Sequence, residues 1–144
     1  MDRLNAITTQ FGLELNDHQL DQFLMYYDLL IEWNNVMNLT AITDMDDVII
    51  KHFADSLLLA KYRNLHNELN VIDVGTGAGF PGIPLKIAFP ELKVTLMDSL
   101  NKRLKFLNEV IDKLGLDNIC TVHARAEDGG RDTRYREQYD IVVS

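Results

Sequence analysis

The stretch Val71-Ile72-Asp73-Val74-Gly75-Thr76-Gly77-Ala78-Gly79-Phe80-Pro81-Gly82-Ile83-Pro84-Leu85 decides the fold. Its first four residues read as a short strand buried on both faces. Gly75, Gly77 and Gly79 follow at once. Glycine lets the backbone turn sharply and lets a ligand approach with no Cβ in the way. A helix is expected from about Ile83 to Phe89, where Pro90 stops it. Strand, glycine loop and helix in this order open a βαβ unit. Ligands of such sheets bind beyond the carboxyl ends of the strands.

Downstream, Lys93 to Met97 reads as a second strand ending at Asp98. Ser99 is placed to cap a long helix with the apolar stripe Leu100, Leu104, Leu107, Ile111 and Leu114, and Gly115 ends it. Asn118 to Val122 and Tyr139 to Val143 are strands three and four. Strands alternating with helices predict right-handed crossovers and a parallel sheet, with the Val71 strand in its interior. The sequence stops at Ser144, inside or just after a strand, which leads to the expectation of a chain truncated within its sheet.

Upstream, the pattern is helical. Asn16 and Gln19 form a capping box ahead of a stripe of Leu20, Phe23, Leu24, Tyr27, Leu30 and Ile31. Asn34, Asn35 and Asn38 punctuate the chain, and a second helix is expected from about Asp46 to Tyr62. The polar joint at Asn64 to Asn70 divides a helical region, 1–66, from an α/β domain, 67–144. With 144 residues, 47% hydrophobic and 25% charged, the composition is that of an ordinary globular chain, not a disordered or collagenous one. Lone Cys120 excludes an internal disulfide, no apolar run approaches a membrane span, and no signal peptide is visible, so a cytoplasmic protein without membrane or metal is expected. Residues 1–50 hold nine acids and only Arg3 as a base, while the remainder is neutral. Nucleic acid would therefore have to meet a local patch.

Spacing narrows the ligand. A dinucleotide fingerprint needs a third glycine where Phe80 stands, and no P-loop pattern is present. Asp98, about twenty residues past the loop, suits the two hydroxyls of a ribose. NAD and S-adenosylmethionine both carry one. Asp73, Asp98 and Glu127 would all lie at the sheet's carboxyl edge, which suits a sulfonium better than a pyrophosphate. Asp73 reads equally well as a buried acid accepting N–H bonds from its own loop. The residue reading thus leaves an S-adenosylmethionine enzyme and an NAD-dependent oxidoreductase open, with a non-catalytic cofactor-binding fragment beside them.

The Asp73–Leu85 loop closely resembles that of the bacterial 16S ribosomal RNA methyltransferase G family, also called glucose-inhibited division protein B. Leu96 to Leu107 is similar to that family's second motif, and Asn34 to Thr43 and Lys51 to Leu57 to its N-terminal signatures. The resemblance implies a Rossmann-like S-adenosylmethionine-dependent methyltransferase fold, with an incomplete parallel sheet here, behind a helical N-terminal region. It implies methylation of N7 of a guanine in 16S ribosomal RNA of the small ribosomal subunit. It further implies that Gly75 and Phe80 contact the cofactor and that Ala126 and Glu127 line the adenine side. The expected cofactor set is Asp73, Gly75, Gly77, Gly79, Phe80, Asp98, Ala126 and Glu127. No catalytic residue is assigned, because guanine N7 is an acceptor lone pair with no proton to remove.

Other features have ordinary readings. His52 and Asp55 share a helix face and read as a packing pair, or as a contact to RNA or to the cofactor mouth. Lys102, Arg103 and Lys105 read as a solvated face, and Tyr26, Tyr27 and Trp33 as core. Arg125, Arg131, Arg134 and Arg136 are the best candidates for phosphate contact.

Overall fold

A computed structural model describes residues 1–125 and 138–144. Four strands form one sheet: β1 (Asn70–Val74), β2 (Lys93–Asp98), β3 (Ile119–His123) and β4 (Ile141–Val143), in the order β3-β2-β1-β4. β1 pairs in parallel with both β2 and β4, and β2 in parallel with β3. The Val71 strand is therefore interior, as its apolar run predicts. Register places Asp73 between Leu96 and Val143, and Asp98 opposite His123. Both acids thus stand at the carboxyl ends of central strands.

Helix α1 covers Asp2–Thr9, α2 covers Asp17–Met37 and α3 covers Met45–Val48. Helix α4 (Gly82–Ala88) joins β1 to β2, and α5 (Asn101–Leu114) joins β2 to β3. The capping box opens α2: Asn16 Oδ1 accepts from Gln19 N at 2.8 Å and Gln19 Oε1 from Asn16 N at 2.9 Å. Pro84 sits in the first turn of α4, where a missing N–H costs nothing. The buried Lys86 ammonium donates to the carbonyls of Pro90 and Leu92, closing the turn into β2. Burial lowers its pKa, and the Asp117 carboxylate opposes that shift.

The structure departs from the periodicity reading in α2, in the 46–62 segment and in α5. Helix α2 runs through Asn34 and Asn35, and Asn38 ends it in the left-handed region. Its inward face carries Gln19, Phe23, Tyr26, Leu29 and Leu30, while Leu24 is 40% exposed. That face is centred about one residue, or ~100°, from the expected stripe. Polar partners explain the rotation: Gln19 Nε2 donates to the Ile87 and Ala88 carbonyls at the end of α4, and Tyr26 Oη to the Ala78 carbonyl.

The helix expected from Asp46 to Tyr62 is three kinds of turn in succession: α3, a π-helical segment Ile49–Ala54 and a 3-10 segment Leu57–Lys61. Ser99 does not cap α5; Asp98 Oδ1 accepts from Leu100 N at 2.9 Å instead. In α5, Phe106 and Val110 join Leu104, Leu107 and Leu114 in the core, while Leu100 is 40% exposed. Contact with α2 turns this face inward, with Trp33 and Phe106 ring centroids 5.8 Å apart. One core cluster runs from Leu4 and Phe23 through Phe53 and Leu96 to Leu114 and Ile141.

Candidate functional site

Asp73 is fully buried at the base of the glycine loop. Its Oδ2 accepts from Thr76 Oγ1 at 2.6 Å and from Gly82 N at 2.9 Å. These bonds make it the brace of its own loop, the second of its two readings. Oδ1 is buried and has no partner among the described residues. Burial pushes the Asp73 carboxyl up to about 7, against the pull of the Thr76 and Gly82 bonds, and the Asp98 charge adds to the rise.

The three glycines are alike in backbone and different in surroundings. Gly75, Gly77 and Gly79 have φ of 68°, 60° and 100°. A Cβ on Gly75 or Gly77 would meet nothing within 4 Å, so their Cα atoms border open space. A Cβ on Gly79 would lie 2.7 Å from both Ile83 Cδ1 and Tyr26 Oη. Gly79 is therefore a packing glycine, set against α2 and α4, and not part of an open cradle. Gly82 is packed likewise, with Leu96 Cδ2 and the Asp73 carboxylate crowding the position of a Cβ. Tyr26 latches the loop by donating to the Ala78 carbonyl. Burial, and then the Asp73 charge, raise its pKa well above the ordinary phenol value, which keeps it a donor. Tyr26 is core, as expected; its latch role carries no sequence signal beyond a tyrosine where phenylalanine would fill the same space.

Asp98 joins three partners. Oδ2 accepts from Gly77 N at 2.8 Å, and Oδ1 from Leu100 N at 2.9 Å and Arg103 Nη1 at 3.5 Å. The carboxylate is 2% exposed. Arg103 thus leaves the solvated face to Lys102 and Lys105, which are exposed. Thr76 N donates to the Met97 carbonyl at 3.0 Å, a second tie between the loop and β2.

Phe80 turns its ring toward the N-terminal helices. His52 stacks on it with centroids 4.3 Å apart and planes 9° apart, and Tyr26 lies 5.6 Å away. His52 Nε2 is 2.9 Å from Thr40 Oγ1, and among the described residues no hydrogen bond joins His52 to Asp55. Burial lowers the His52 pKa, and the Asp55 charge opposes this. Beside Phe80 opens a cavity of about 430 Å³ lined by residues that include Lys51, His52, Asp55, Pro81 and Val143. Tyr27 and Trp33 pack against the core as expected. Ala126, Glu127, Arg131, Arg134 and Arg136 lie outside the described residues; Arg125 is exposed.

A loop with two open left-handed glycines, tied to an acid on the next strand, can hold a nucleoside. Gly75 and Gly77 admit close approach, and Asp98 Oδ2, which accepts only from Gly77 N, has a further lone pair for a ribose hydroxyl. No helix of the described residues is long and apolar enough to cross a membrane.

The family model for rRNA small subunit methyltransferase G matches residues 19–144. Ribosomal RNA small subunit methyltransferase G of Lachnoclostridium phytofermentans is 62% identical over 133 residues, 92% of this chain and 55% of that protein. Its counterpart in Acetivibrio thermocellus is 60% identical over 134 residues, 93% of this chain and 55% of that protein. The chain spans about half the length of the curated relatives it matches. A solved protein-L-isoaspartate O-methyltransferase superposes with a TM-score of 0.62 over 99% of this chain and 46% of that one. At 14% identity this likeness is one of fold.

Proposed function

The chain belongs to the rRNA small subunit methyltransferase G family, and from that premise we propose that its loop and Asp98 bind S-adenosylmethionine for methyl transfer to N7 of a guanine in 16S ribosomal RNA. The observation that carries the reading is the bond from Gly77 N to Asp98 Oδ2, which sets a ribose acceptor beside two glycines bordering open space. Phe80 at the third fingerprint position disfavours a pyrophosphate ligand.

In this reading Asp98 Oδ2 accepts from a ribose hydroxyl while it fixes the loop through Gly77. Gly75 and Gly77 let the backbone approach the ligand. Ala126 and Glu127 take the adenine edge, on the motif resemblance alone. When bound, S-adenosylmethionine supplies an electrophilic methyl group. The acceptor lone pair at N7 needs no general base. What the protein must contribute is alignment of acceptor and methyl group, and placement of that kind is worth several kcal/mol of barrier.

Radiolabelled methyl transfer to unmodified small-subunit RNA, with Asp98→Ala in parallel, tests the reading. Label recovered as N7-methylguanosine and lost in the variant supports it. Label in another nucleoside would overturn the acceptor assignment. Cofactor binding with no label in RNA would leave the chain a cofactor-binding unit.

A further inference from the structure

We infer that the cavity between the Phe80–Pro81 turn, the end of β4 and the helical segment around Asp55 receives the acceptor base, and that the Asp55 carboxylate reads guanine from its Watson–Crick edge. The inference rests on the methyl-transfer reading and adds its acceptor site.

Position comes first. The sheet order puts the proposed ribose group, Asp98, on β2 and the glycine loop on β1, with β4 on the far side. A donor lying along this edge with its ribose at Asp98 extends past the glycine loop toward Phe80 and β4. The cavity opens there, with about 430 Å³ of space, in the range of small-molecule sites.

Part of the cavity wall is aromatic. The His52 and Phe80 rings are stacked nearly parallel, and the Thr40 hydroxyl fixes the imidazole at Nε2. This gives the cavity a pre-set aromatic edge. Lys51 and His52 lie in the π-helical segment Ile49–Ala54, with Asp55 just after it. π-turns inside helices often occur at functional sites.

Asp55 supplies selectivity. It is exposed, and among the described residues its carboxylate makes no hydrogen bond or ion pair. An ionised carboxylate only accepts. Guanine is the one common base with two adjacent donors, N1–H and N2–H₂, on its Watson–Crick edge. A base held there presents N7 on its opposite edge, toward the methyl group. Lys51 is exposed and its pair with Asp47 is long at 3.9 Å, so its ammonium can turn to the phosphate of the same nucleotide.

The test titrates 5′-GMP, and 5′-CMP as control, into the full chain with and without saturating S-adenosylhomocysteine, for the parent and Asp55→Asn. Backbone amide shifts of residues 51, 55 and 143 locate the ligand. We expect GMP to perturb these amides, and Asp55→Asn to weaken GMP about tenfold. The affinities for CMP and S-adenosylhomocysteine should stay within about twofold. Because Asp55 is exposed, the variant's melting temperature should match the parent's. Loss of S-adenosylhomocysteine affinity in Asp55→Asn would give the cavity to the cofactor and overturn the inference. So would GMP shifts elsewhere, no GMP binding, or GMP bound equally by both proteins. Failure of S-adenosylhomocysteine to bind the parent would strike the cofactor reading instead, while the cofactor-free titration still judges the cavity.

Discussion

Gly77 N donates to Asp98 Oδ2 at 2.8 Å, joining the loop after β1 to the last residue of β2. The other oxygen of the same carboxylate holds Leu100 N, at the start of α5. Asp98→Asn keeps one acceptor and sets an amide donor against one of these N–H groups. Charge-assisted bonds of this kind justify an expected loss of about 10- to 100-fold in S-adenosylhomocysteine affinity, with a lower melting temperature. Calorimetry and thermal melts check both; unchanged affinity would separate Asp98 from the ligand.

Gly77→Ala and Gly79→Ala should fail in different ways. At Gly77 a methyl group enters open space, and the left-handed backbone costs about 1–2 kcal/mol. The larger effect there should be on ligand affinity. At Gly79 the methyl group strikes Ile83 and Tyr26 at 2.7 Å, so stability should fall by more than about 2 kcal/mol. Denaturant unfolding and ligand titration of both variants give the comparison. Equal stability losses would contradict the division between a ligand-facing and a packing glycine.

Tyr26→Phe removes the donor to the Ala78 carbonyl and leaves a buried acceptor unpaired. A loss of about 1–3 kcal/mol in unfolding free energy is expected. No measurable loss would mean that the latch is not needed to hold the loop.

Asp73 links stability to pH. Its carboxyl is raised from the ordinary carboxylate range to about 7 in the folded chain. The folded state therefore binds this proton more tightly than the unfolded state. The associated stability is present below the unfolded pKa and is lost as pH rises through about 7. The full shift corresponds to about 4 kcal/mol. Asp73→Asn stays neutral, so its stability relative to the parent should rise between about pH 4 and pH 8. Unfolding curves at several pH values measure the gap, and a gap constant with pH would contradict the assignment.

Much of this arrangement is legible in local sequence. The apolar run at Val71, the alternating glycines and the acid at Asp98 imply the interior parallel strand, its loop and the next strand's end. Asn16 and Gln19 state their capping box outright. What is not legible depends on partners distant in the chain. Nothing local says that Gln19 and Tyr26 should face inward, because their acceptors are carbonyls of α4 and the loop. Gly77 and Gly79 look alike until Tyr26 and Ile83 are placed beside one of them. Ser99 is a reasonable cap by type, but the neighbouring Asp98 already reaches the Leu100 amide. His52 and Asp55 share a face by spacing, yet Thr40 and Phe80 claim the imidazole.

The proposed ligand of this loop and Asp98 is the nucleoside of S-adenosylmethionine, not a dinucleotide. Calorimetric titration of the chain with S-adenosylhomocysteine and, separately, with NADH measures this directly. Saturable binding of S-adenosylhomocysteine that Gly77→Ala weakens is expected, with no saturable binding of NADH. Preferential binding of NADH, or S-adenosylhomocysteine binding indifferent to both Gly77→Ala and Asp98→Asn, would contradict the assignment.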